Sequence, residues 1–162
     1  MMQTGLGLMP RLGAMLMAVV VTLIPIASGA QQLAALRASD AMKYFDAICG
    51  GTLPNFENAP AALQQNGFQQ YSTGTWYLPD QSVSIKIIEG PGMGRTCSFV
   101  ANSTDGEAGI KAAVAASLPG IDQTAPGLAL YPKTQALVQL NPQMGRMGDV
   151  TIFGLQMLSD RK

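Results

Sequence analysis

The sequence predicts an α+β fold: a single two-layer domain, with a largely antiparallel sheet and two longer helices packed on one face. Three observations carry this reading. Strand-like segments come in consecutive hairpin-like groups and do not alternate one by one with helices. Residues 31–49 and 104–118 each place apolar side chains at three- and four-residue spacing. The two cysteines, Cys49 and Cys97, fall on the apolar sides of a helix and a strand, so a disulfide between them would join the two layers.

The chain opens with a short polar start, a single Arg11 and an apolar run over residues 12–26. Small residues follow at Ser28 and Ala30, where a signal peptidase reads. Residues 1–30 are therefore expected to be a cleaved signal peptide. The apolar run is shorter than the roughly 20 residues a spanning helix needs, so no membrane span is expected after cleavage. Residues 31–162 are expected to form one exported domain, periplasmic or secreted, and the compact leader leans towards a bacterial source. Arg11 is the one basic side chain ahead of Gln31, and all ten acidic ones follow it, which leaves a net charge close to −1. No run of Lys or Arg occurs, which argues against a nucleic-acid partner. Two cysteines in an exported chain make a Cys49–Cys97 disulfide the default.

In order along the domain, Ala38, Ala41, Met42, Phe45, Ile48 and Cys49 form the buried stripe of the first helix. Gly50-Gly51 is expected to end it in the left-handed conformation. A short second helix follows Asn58, with Pro60 in its first turn and Asn66-Gly67 closing it. Strands are read at 67–71 and 75–78, joined by Ser72-Thr73-Gly74, and Pro79-Asp80-Gln81 makes the next turn. Val83, Ile85 and Ile87 alternate with polar residues, and a glycine-rich turn leads to a return strand with Cys97, Phe99 and Ala101 on one face. Thr104 and Glu107 fit a capping box that opens a helix ending at Pro119-Gly120. Strands are read at 127–131, 134–140 and 149–158, with 141–148 as a loop. Met-Gly-Arg occurs twice, ending at Arg95 and Arg146, each copy ahead of a strand, a faint hint of duplication.

The chain has no histidine. That removes Ser-His-Asp and Cys-His nucleophile activation and the commonest zinc ligand. No Cys-x-x-Cys, Gly-x-Ser-x-Gly or P-loop occurs, and neither cofactor nor metal is expected. Ser159 and Lys162 match a serine–lysine spacing, but at the very end of the chain. Asn102-Ser103-Thr104 matches a glycosylation acceptor, relevant only in a eukaryote.

Among possible binding features, the aromatic group Phe68, Tyr71, Trp76 and Tyr77 stands out, with Tyr71 and Trp76 set to pair across a hairpin. Against this, Phe68 and one of Trp76 and Tyr77 would serve the core equally well. The expected function is a non-catalytic binding or accessory module acting on an envelope or foreign protein partner. Trp76, Tyr77, Arg95 and Arg146 are its candidate contacts, because tryptophan, tyrosine and arginine dominate interface hot spots. The alternatives are a histidine-free glycoside hydrolase using two carboxylates from Asp80, Glu89, Asp122 and Asp149, and a carrier of a small apolar ligand in a cavity between sheet and helices.

Overall fold

The computed structural model describes residues 33–90, 94–121 and 127–159. The leader read at 1–30 lies outside them. Helix α1 (Ala38–Phe45) runs into a π-helical turn (Asp46–Gly50), and α2 (Ala59–Gln65) follows. Four strands come next, β1 (Gln69–Ser72), β2 (Thr75–Tyr77), β3 (Val83–Gly90) and β4 (Gly94–Ser103). Helix α3 (Gly106–Ser117) leads to β5 (Gly127–Leu130), β6 (Leu137–Met147) and β7 (Val150–Leu158). All strand pairs are antiparallel, in the order β1-β2-β3-β4-β7-β6-β5. This is the α+β, two-layer arrangement that the grouping of the strands predicts.

The helices cover one face. Val83, Ile85, Cys97, Phe99, Phe153, Leu155, Val138 and Leu140 point from the central strands into a core shared with Phe45, Ile48, Leu63, Ile110, Val114 and Leu118. Phe99 stands at its centre, edge-on to Phe45 at 5.6 Å and tilted against Phe153 at 6.1 Å. Cys49 and Cys97 are fully buried and joined, with Cα atoms 5.7 Å apart. The disulfide thus joins the π-turn to β4.

The first helix is shorter than its periodicity suggests. Leu36 donates its N–H to the Asn102 carbonyl and accepts from the Thr104 N–H, so the chain before Ala38 is extended. The whole predicted stripe is nevertheless buried. The π-turn, closed by Gly51 N–H to Asp46 O, turns Ile48, Cys49 and Gly50 inward in succession. Gly50-Gly51 does not adopt the expected left-handed cap; Gly51 has φ −75°. Gly50 serves a different need, because a Cβ there would overlap the Tyr131 hydroxyl.

Two further readings are corrected. The capping box does not form. Asp105, not Thr104, precedes α3, and its carboxylate accepts the Ala38 N–H at 2.7 Å, capping α1 instead. Residues 141–147 are strand and not loop: β6 continues through a bulge between Asn141 and Gly145 and turns tightly at Gly148-Asp149, where Gly148 has φ +61°. The second Met-Gly-Arg therefore lies inside β6.

Among the described residues, no helix covers the other face of the sheet. Ile88, Val100, Leu128, Leu130 and Leu137 point outward from it and are each more than a third exposed.

Candidate functional site

Clefts lie at the margins of the sheet. One, of about 710 Å³, opens between α2 and the β1–β2–β3 end of the sheet. The registers explain what lines it. Gln70 is paired with Trp76, Trp76 with Ile85, and Glu89 with Arg95, so Gln70, Trp76, Ile87, Glu89 and Arg95 share the helix-side face. Phe56, Glu57, Pro60 and Gln64 form the opposite wall. Arg95 spans the end of the cleft. It pairs with Glu89 at 2.7 Å and donates to the Asn55 carbonyl at 3.2 Å, tying the sheet to the loop before α2. Trp76 is only 4% exposed, so its ring belongs to the core and only an edge reaches the cleft.

Of the four sequence-predicted contacts, Trp76 and Arg95 come together here. Tyr77 faces the other way, in a cleft of about 450 Å³ with Gln69, Tyr71, Leu78 and Pro79. The predicted Tyr71–Trp76 pairing is replaced by an edge-on Tyr71–Tyr77 contact at 5.6 Å, because Trp76 stands opposite Gln70. Phe68 is buried, edge-on to Tyr44. Arg146 lies apart, in a third cleft of about 320 Å³ with Asp105, Glu107, Asp149 and Met144, and its Nε donates to the Gly148 carbonyl.

The carboxylates named for hydrolysis occupy different surroundings. Glu89 lines the first cleft and Asp149 the third, while Asp80 accepts from the N–H and hydroxyl of Ser82. Asp122 lies outside the described residues. Asp105 and Glu107 also face Asp149's cleft, an approach that their spacing in the sequence does not reveal. Both are engaged there, Asp105 in capping α1 and Glu107 in an ion pair with Lys111. Among the described residues no group of three or more Cys, His, Asp or Glu side chains could hold a metal ion. Ser159 accepts the Arg95 N–H at 2.8 Å, and Lys162 lies outside the described residues. The Asn102 amide, which a glycan would occupy, donates to the carbonyls of Ala34 and Gln81.

A polar cluster that the sequence did not suggest joins the β5–β6 turn to the π-turn. The Tyr131 hydroxyl donates to Asp46, and Lys133 donates to the same carboxylate at 2.7 Å. Burial, then the bond to Asp46, pushes the Tyr131 phenol up to about 12. Burial alone would raise Asp46, but hydrogen bonds from Lys133 and Tyr131 outweigh it and hold the carboxyl below its usual range. A phenol held this firmly protonated is a poor proton acceptor near neutral pH, so the cluster reads as a fastening.

No helix among the described residues is long and apolar enough to cross a membrane. No family model, curated protein or solved structure matches the chain.

Proposed function

We propose that this chain is an exported, non-catalytic binding or accessory module. In this reading it engages a protein partner in the cell envelope, or a foreign protein, through the cleft between α2 and the β1–β2–β3 end of the sheet. The observation that carries the reading is the joining of Trp76 and Arg95 in one cleft of about 710 Å³. An aromatic edge, an arginine and a polar rim match the composition of interface hot spots. A buried disulfide fits export to an oxidising compartment, the periplasm or the exterior. Tyr77 and Arg146 lie elsewhere and serve as comparison positions.

The test is a crosslinking pull-down with the tagged chain on envelope and medium fractions from its source. One saturable partner is expected, and Arg95→Ala and the exposed rim change Glu57→Lys should each weaken capture at least about tenfold. Trp76→Phe is the useful change at the tryptophan, because Trp76→Ala would also open a cavity in the core. Capture that survives Arg95→Ala and Glu57→Lys, with thermal midpoints preserved, removes the cleft from the account.

A further inference from the structure

The open face of the sheet is nearly free of charge. Its side chains follow from the registers, since residues level with one another across antiparallel strands share a face. Ile88 pairs with Thr96, Thr96 with Leu158, and Leu130 with Leu137. Val138 pairs with Met157, which sets Leu137 level with Leu158. An apolar row broken only by Thr96 therefore crosses β3, β4, β7, β6 and β5. The next row is Lys86, Ser98, Gln156, Gln139 and Leu128. Lys86 is the one charged side chain that the described strands place on this face. Glu89, Arg95 and Arg146 all belong to the clefts on the helix side.

We propose that this face is the interface of a homodimer in which two copies pack sheet against sheet. Depletion of charge at the centre is the compositional mark of an interface. It also points to the occupant. A different protein gains register and specificity from complementary charges, and here the described strands offer it only Lys86. A second copy meets it without an opposed row of like charges, because a single flexible lysine can reach the rim. The area is sufficient. Five strands about 4.8 Å apart, from the four residues of β5 to the eleven of β6 and averaging roughly eight, outline about 600 Å² per copy. Two copies would bury on the order of 1,200 Å², the lower bound of stable interfaces. Sheets packed this way lie about 10 Å apart, with their side chains interleaved. Leu128 and Leu130, 53% and 54% exposed on an edge strand, would be covered. The cleft with Trp76 and Arg95 opens on the opposite face and stays accessible, so the dimer does not depend on the proposed function.

Sedimentation equilibrium on the purified full chain, with light scattering after gel filtration, tests the dimer. The expected mass is that of two chains, falling to one on dilution. Val100→Glu and Leu130→Lys replace side chains already exposed in the monomer, so both should fold. Each should weaken the dimer about a hundredfold or more, because a charge would be buried without a partner. A monomer at every concentration overturns the proposal. So does a dimer whose dissociation is unchanged by both substitutions, since its interface would lie elsewhere.

Discussion

Gly50 and Gly148 both lie where the chain turns, yet each excludes a side chain for a different reason. At Gly50 the limit is space, because Tyr131 packs against the bare backbone. At Gly148 it is conformation, φ +61°, with nothing near an added Cβ. Gly50→Ala should cost about 1–3 kcal/mol by overpacking, and Gly148→Ala about 1 kcal/mol by left-handed strain. Urea unfolding on a Tyr131→Ala background separates the causes: the Gly50 penalty should shrink there and the Gly148 penalty should not. An equal Gly50 penalty on both backgrounds would mean that Tyr131 is not what confines it. Tyr131 itself predicts a pH dependence. Its folded value of about 12 lies above the ordinary 10, so its contribution is complete below pH 10 and is lost as the pH rises towards 12. Asp46 has the opposite sign. Its value is depressed, so its contribution is present above the ordinary 3.8 and disappears as the pH falls through the folded value. Tyr131→Phe should cost about 1 kcal/mol at neutral pH, and the variant's thermal midpoint should decline less than the wild type's between pH 10 and 12, with Lys133, also raised by its bond to Asp46, left to contribute. Parallel alkaline profiles for the two proteins would remove Tyr131 from that decline.

Capping decides how the two longer helices are placed. Asp105 ends β4's exit and opens α3, but its carboxylate satisfies the first backbone N–H of α1. Asp105→Ala should therefore destabilise the fold by about 1 kcal/mol, with Asp105→Asn close to wild type. Amide exchange would place the effect: protection should fall at Ala38 more than within α3, and an effect confined to α3 would restore the local capping box. This element also shows what was legible in the sequence. Periodicity located the buried stripe of α1, the alternation in β3 and the pairing of Cys49 with Cys97, because each depends on which side of an element a residue occupies. Spacing alone did not reveal that Asp105 caps another helix or that Tyr131 meets Asp46, since both are contacts between residues far apart in sequence. The extension of β6 was hidden for a related reason. Met144, Gly145, Arg146 and Met147 lack strand alternation, and only the ladder with β7, bulge included, holds them extended. The candidate cleft was half legible: Trp76 and Arg95 were chosen for their chemistry, and β-sheet register brought them together while sending Tyr77 to the other side.

At the scale of the whole molecule the described residues form two helix-led meanders, α1 and α2 with β1–β4 and α3 with β5–β7, that meet through their last strands. The β4–β7 ladder runs from Thr96–Leu158 to Ser103–Thr151, and both strands are paired along both edges. The disulfide ties β4 to the helical layer across a sequence separation of 48. Closing a loop of that length should contribute roughly 4 kcal/mol on the chain-entropy model. A Cys49→Ala/Cys97→Ala double variant, or reduced wild type, should therefore show a clearly lower urea midpoint. A seam built in this way should open last. Backbone amides of β4 and β7 should exchange slowest, at the rate of global unfolding. Those of β1 and β5, at the two ends of the sheet, should exchange at least about a hundredfold faster through local opening. Reduction should lower the protection of β4 and β7 together, because neither keeps its partner if the other leaves. Two exchange phases dividing β1–β4 from β5–β7 would show instead that the meanders open independently and that the seam merely joins two stable halves.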